Sequence, residues 1–287
     1  MQIAVTQLVN GLVLGMLLFL MSAGLSLIFG LMNVVNLAHG SFFMLGAFFA
    51  LTVSEATGSF WLGLATGWIP AVILGLAMER LFIRHLYSRT HLDQVLLTFG
   101  FTFVFADLVR MLWGPDIRNM AVPDALSGAL EAFDIIIPRY RLFLIAFGGV
   151  IALLLWLFLE RSRVGAMVRA GVDDAHTAAG LGINVQLLFG GVFALGVGLA
   201  ALGGAAAGPV LGVYLGIDGE ILIPAFIVVV IGGMGSLRGA FVSSLLVGVI
   251  DTLGKAYFPD LALFAIYLLM VVVLLTRPHG LFGVGKA

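Results

Sequence analysis

Apolar stretches recur from one end of this chain to the other, and their spacing limits the available folds more than any other feature. Windows fall at about Leu8–Leu31, Phe42–Val53, Phe60–Met78, Val95–Trp113, Leu142–Leu159, Leu187–Ala207, Ile221–Met234, Ala240–Tyr257 and Leu261–Thr276. A helix needs roughly 17–25 apolar residues to cross a bilayer, so the pattern describes a chain that runs repeatedly through a membrane. Phe42–Val53 and Ile221–Met234 fall short of that length and adjoin Gly-, Asn- and Ser-rich stretches, which marks them as broken or re-entrant. The expected fold is an all-α polytopic integral membrane bundle, one domain over residues 1–287, with about eight to nine membrane segments.

The composition agrees. Charged residues make up 10% of the chain, against roughly 25% in a soluble domain, so lipid must cover surface that polar groups cannot. The 38 glycines and 8 prolines suit a bundle in which small residues allow close helix packing and breaks line cavities. A net charge of −1 gives no sign of nucleic-acid binding, and the absence of cysteine excludes disulfides, iron–sulfur clusters and thiolate zinc sites. No Lys or Arg precedes the first apolar run, MQIAVTQLVNGLVLG, which therefore reads as a first span and not as a cleaved signal peptide.

Alternate loops divide the basic residues unequally. Arg80, Arg84, Arg89, Arg161, Arg163, Arg169, Arg238, Arg277 and Lys286 fall on one side, and Arg110, Arg118, Arg139, Arg141 and Lys255 on the other. The positive-inside rule assigns the first set to the cytoplasm. The N-terminus is then expected outside, the C-terminus inside, and the loop 114–140, with Asp116, Asp124, Glu131 and Asp134, facing outward.

Residues 161–184, RSRVGAMVRAGVDDAHTAAGLGIN, form the one long polar segment on the cytoplasmic side. Val164–Leu181 is compatible with a helix along the membrane surface, and Asp173 and Asp174 follow Arg169 closely enough for a local ion pair. The segment reads either as a docking loop for a partner or as an ordinary amphipathic connector.

The order Gly165, Arg169-Ala170, Asp174, Ala178, Gly182-Ile183 resembles the cytoplasmic coupling loop of ABC importer permeases of the branched-chain amino acid type. Gly24–Gly30 leading into Val35-Asn-Leu-Ala-His-Gly40, Gly232–Gly239 and Arg277-Pro-His-Gly-Leu-Phe-Gly283 extend the resemblance in order over nearly the whole chain. The sequence is most similar to the shorter LivH-type permease. Ser41 stands where many relatives carry an acidic residue, and Asn33 where a basic one is frequent. The resemblance implies a bacterial inner-membrane permease that is not itself an enzyme and holds no cofactor, ATP and magnesium being bound by its partners. Those partners are two cytoplasmic ABC ATPases, a second related permease forming a heterodimer, and a periplasmic substrate-binding protein. Gly165, Arg169, Asp173, Asp174 and Gly182 would couple to the ATPases. The implied substrates are branched-chain or other hydrophobic amino acids, with urea, short amides or aromatic acids as alternatives.

Other features carry two readings. Asn33, Asn36, His39 and Ser41, at the junction of the first two spans, line a translocation path or gate, or else cap helices and bond between them. Asp107/Arg110 and Asp251/Lys255 lie toward the outer ends of their windows and suit structural anchoring or a substrate-admitting rim better than a proton relay. Pro209, after a glycine cluster, predicts a helix break. His39–Phe48 and Met234–Phe241 echo one another as a parallel repeat would, though Gly-Ser and Gly-Ala pairs are common in this chain. The tail Gly280–Ala287 imitates a phosphate-binding loop but lacks the Ser or Thr for magnesium and a following helix. The five histidines have no metal-ligand spacing. A proton- or sodium-coupled secondary transporter would need carboxylates at mid-depth, and a membrane enzyme a convergent polar cluster.

Overall fold

The computed structural model describes residues 2–87, 89–132 and 135–283. The segments α1 (Gln2–Met32), α2 (His39–Thr57), α3 (Phe60–Thr66), α4 (Trp68–Leu81), α5 (His91–Trp113), α6 (Arg139–Arg161), α7 (Arg163–Asp173), α8 (Ala175–Gly180), α9 (Val185–Leu211), α10 (Ile217–Gly232), α11 (Leu237–Tyr257) and α12 (Ala262–Thr276) follow in order. Each of the nine apolar windows becomes helix. Among the described residues, seven helical segments are long and apolar enough to cross a membrane, with α3 and α4 together forming one over Phe60–Leu81. Helices α10 and α12 are shorter, at 16 and 15 residues. The chain is therefore an all-helical multi-span bundle.

Among the described residues, the fold departs from strict all-α in a pair of short strands and an isolated bridge between Arg118 and Val213. Strands β1 (Ala129–Ala132) and β2 (Ile135–Pro138) pair antiparallel between α5 and α6. Three consecutive β-branched isoleucines, Ile135–Ile137, favour an extended backbone here. The expected outer loop thus contains a hairpin and ends where α6 begins at Arg139. Asp134 lies outside the described residues.

Helix α1 is the axis of the bundle and packs along α11, α9, α6 and α10. Its side chains from Leu17 to Ile28 are almost entirely buried. Close approach depends on glycine: a Cβ on Gly24 would meet the Gly196 carbonyl of α9 at 2.5 Å, and one on Gly204 of α9 would collide with the Phe43 carbonyl of α2. Phe42, Phe43 and Phe48 of α2 and Phe193 of α9 fill the space around these contacts.

Contacts sort the loops into two ends. At one, Arg84 bonds Gln186, Asn33 lies 3.4 Å from His91, Gly30 abuts Gly235, and Leu281 donates to the Ile231 carbonyl at 2.8 Å. At the other, Arg118 bridges to Val213 and pairs with Glu55, Trp113 bonds Thr52, and Arg141 bonds Asn10. The two basic sets divide accordingly, apart from Lys286, which lies with Val284–Ala287 and the end of the loop-like tail outside the described residues.

Three expectations need correction. Pro209 does not break α9, which continues to Leu211 and ends at Gly212 in a left-handed conformation (φ 80°). Its missing donor falls in the last turn, where little helix remains to disrupt. Helix α2 is not a short broken segment, because it extends beyond its apolar window at both ends to 19 residues. Re-entrance belongs instead to the elbow 33–38 before it, which carries Asn36 and Ala38 to complete burial. Leu37 N donates to Thr98 Oγ1 at 3.1 Å, and His39 Nε2 lies 3.1 Å from the Met21 carbonyl, well inside α1. The two echoing segments both begin helices, but at different depths: His39 is level with Met21 of α1 and Gly235 with Gly30, nine residues or about 13 Å further along it.

Candidate functional site

The polar segment after α6 folds back tightly on that helix. Ser162 is extended and its Oγ accepts from Gly165 N at 2.9 Å, which starts α7. A Cβ on Gly165 would collide with the Leu159 carbonyl. Gly165, Val168 and Gly171 form the buried face of α7, at the three-residue spacing of an amphipathic helix. Val164, Asp173, Asp174 and Leu181 are exposed, Leu181 to 78%.

Arg169 does not make the expected local pair with Asp173 or Asp174. Its Nη1 donates to the Leu159 carbonyl and lies 3.7 Å from Glu160. The other Glu160 oxygen lies 3.6 Å from Arg238 in the first turn of α11. A helical side chain leans toward its own N-terminus, so Arg169 reaches back to the carbonyl-rich end of α6. One carboxylate thereby ties together α6, α7 and α11.

The expected single helix Val164–Leu181 is two helices divided at Asp174. This residue turns extended, and its carboxylate accepts from His176 N at 2.9 Å, Thr177 N at 3.1 Å and Thr177 Oγ1 at 2.6 Å, capping α8. The Thr177 side chain and then the two amides hold the Asp174 carboxyl below its usual range. Gly182 supplies a left-handed turn (φ 87°), and Asn184 caps α9 through Leu187 N at 3.0 Å.

Asn36, His39 and Ser41 are fully buried, whereas Asn33 is exposed and ends α1 with φ 52°. Short polar side chains tolerate that conformation. Among the described residues, both side-chain polar atoms of Asn36 and Nδ1 of His39 find no partner. Ser41 Oγ donates to Asp218 Oδ2 at 3.1 Å, in the first turn of α10. A carboxylate, that of Asp218, thus faces position 41 across the helix interface.

Several polar anchors escaped sequence reasoning. Glu79, buried in α4, accepts from Tyr87; burial first, and then that carboxylate, push the Tyr87 phenol up. Tyr140 donates to the Ala206 carbonyl at 2.7 Å. Glu160 falls between the apolar window that ends at Leu159 and the polar segment that starts at Arg161. None of these contacts joins neighbours in sequence, so no local spacing signals them. Asp107 and Arg110 lie 3.6 Å apart on an exposed face, and Lys255 donates to Asp251 at 2.6 Å. Among the described residues, no three His, Cys, Asp or Glu gather as a metal site.

Residues 7–274 of the chain match the family described as branched-chain amino acid transport system / permease component. The chain belongs to that family. Members of that family are described as the permease component of a transport system. The chain is 29% identical to the high-affinity branched-chain amino acid transport system permease protein LivH of Salmonella typhimurium, covering 96% of this chain and 94% of the relative. Identity to the corresponding permease protein BraD of Pseudomonas aeruginosa is 30%, over 96% and 95%. A probable branched-chain amino acid transport permease protein LivH of Methanocaldococcus jannaschii is 26% identical, over 93% and 89%. No solved structure matches.

Proposed function

We propose that this permease imports branched-chain aliphatic amino acids across the inner membrane, driven by ATP hydrolysis on separate subunits. The observation that carries the reading is the anchored α7–α8 segment, whose bundle-facing side is fixed by Gly165 and Arg169 and whose outer side presents Val164, Asp173, Asp174 and Leu181. Two ABC ATPases dock there, a second related permease completes the pathway, and a periplasmic binding protein delivers substrate to the opposite end. The N-terminus then lies outside and the C-terminus in the cytoplasm, in keeping with the basic-residue bias. The relatives' names support the substrate class.

Force entering at α7 passes through Glu160 to α6 and α11. Asn36, His39 and Ser41 line the moving part of the path at the elbow, where unpartnered polar atoms have bonds to gain in another conformation. Both outer and inner partners must bind one conformation more tightly, since equal affinity shifts no equilibrium.

The test is ATP hydrolysis by the assembled complex in lipid, with its binding protein, across leucine, isoleucine, valine, urea and an aromatic acid. Stimulation by the aliphatic amino acids alone is expected. Stimulation by urea or the aromatic acid would reassign the substrate, and failure to associate with ATPases would overturn the importer reading in favour of an ion-coupled transporter.

A further inference from the structure

Two adjoining cavities open at the end of the bundle opposite the docking segment. The larger, of about 410 Å³, is lined by Gln7, Asn10, Arg141, Asp251 and Lys255, with an apolar wall of Val13, Leu14 and Leu17. The smaller, of about 180 Å³, brings in Tyr214 and Glu220 beside Leu18, Ile217 and Val247. Leu14, Leu211, Asp251 and Lys255 border both, so the cavities meet at the Asp251–Lys255 pair. The larger alone falls within the roughly 300–1,000 Å³ of small-molecule sites.

The polar groups are balanced in sign and drawn from five helices or their ends. Arg141 of α6 bonds Asn10 of α1; Lys255 bonds Asp251 within α11; Tyr214, beyond the end of α9, donates to Glu220 of α10 at 2.7 Å. Burial, then Glu220, pushes the Tyr214 phenol up to about 12, so it remains a donor. The Asp251 side chain is only 12% exposed, whereas that of Lys255 is 60% exposed. A sunken carboxylate is therefore held by a cation free to swing outward.

We propose that these joined cavities bind a zwitterionic α-amino acid with an aliphatic side chain. Its ammonium takes the place of Lys255 on Asp251, its carboxylate engages Arg141 and the released Lys255, and its side chain lies against Leu14, Leu17 and Leu211. Loading exchanges one ion pair for two and adds no net charge, so no charge is left unpaired in a low-dielectric site. Urea or a simple amide offers no charges for that exchange. The apolar wall favours an aliphatic side chain by removing it from water. The inference rests on the import function proposed above and deepens it, placing substrate recognition on the permease as well as on the binding protein.

The experiment uses the permease–ATPase complex in nanodiscs without the binding protein, and radiolabelled leucine as probe. Wild type is expected to bind leucine at millimolar concentration, with isoleucine and valine competing. 3-Methylbutylamine and 4-methylpentanoate, which each lack one of the two charges, should compete at least ten-fold more weakly. Asp251→Asn/Lys255→Gln, which keeps the charge balance, should bind leucine at least ten-fold more weakly, and so should Arg141→Gln. The same variants with binding protein in proteoliposomes should lose most leucine uptake while still assembling. If wild type takes up leucine but the variants match it, or if the singly charged analogues compete as well as leucine, the site is wrong and the importer stands. If a zwitterionic phospholipid co-purifies with wild type, is lost from the variants, and leucine does not displace it, the cavities are a lipid site. A wild-type complex that takes up none of the three amino acids overturns both proposals.

Discussion

Helices α6 and α9 are both long and strongly apolar, yet they are held in the bundle in opposite ways. The best window of α6 has the higher mean hydropathy, 2.8 against 2.1, but α9 has twice the share of residues buried, 44% against 22%. In a membrane, apolarity does not choose the interior, because lipid solvates leucine as well as protein does. Side-chain size chooses instead. Helix α9 carries Gly196, Ala200, Ala201, Gly203 and Gly204 and meets α1 and α2 backbone to backbone, whereas the middle of α6 presents Val150, Leu153 and Leu154 outward. Apart from Gly148 against Met16, what fixes α6 is polar and terminal: Tyr140 and Arg141 at one end, Glu160 at the other.

The largest expected effect comes from reversing that logic in α9. Gly204→Leu should cost about 3 kcal/mol or more through overpacking against the Phe43 carbonyl, and the folded fraction in fluorescence size-exclusion should collapse. Glu160→Ala should leave insertion and assembly intact while cutting leucine uptake about ten-fold, because α7 and α11 lose their common tie; unchanged uptake with unchanged ATPase stimulation would remove the coupling role. Tyr140→Phe should lower stability by about 1 kcal/mol, measurable as a small drop in melting temperature. Gly149→Leu in α6, where a Cβ meets nothing within 4 Å, should be nearly silent. A collapse there comparable to that of Gly204→Leu would dissolve the contrast between the two helices.

Beyond α6, the cap on α8 should respond to acid. The Asp174 carboxyl is lowered in the folded chain, so its contribution is present above the usual aspartate range and is lost as pH falls through the lowered value. Protection factors for hydrogen exchange at the His176 and Thr177 amides should fall on that acidification, and in Asp174→Ala already at neutral pH.

The nine apolar windows were legible as helix because length and apolarity act locally. Gly165, Asp174 and Gly182 stood out through the family resemblance alone, and the helix break at Asp174 was not legible. Arg169 shows the limit: four-residue spacing to Asp173 suggested one pair, and the direction of a helical side chain together with the nearby end of α6 produced another. The elbow was visible as polarity, but its depth depends on Thr98. Of the cavity's residues, Asp251 and Lys255 were legible as a four-residue pair, whereas Gln7, Asn10 and Arg141 come from distant helices and share no local pattern with it.

The elbow also constrains how the protein is made. Leu37 finds its acceptor on Thr98, 61 residues later, and chains emerge from the ribosome N-terminus first. Until α5 has been synthesised, that amide has no protein partner in the bilayer, where an unpaired backbone group is costly. The first hairpin must therefore wait in the insertion machinery, or near the headgroups, and sink to its final depth only when the fifth helix arrives.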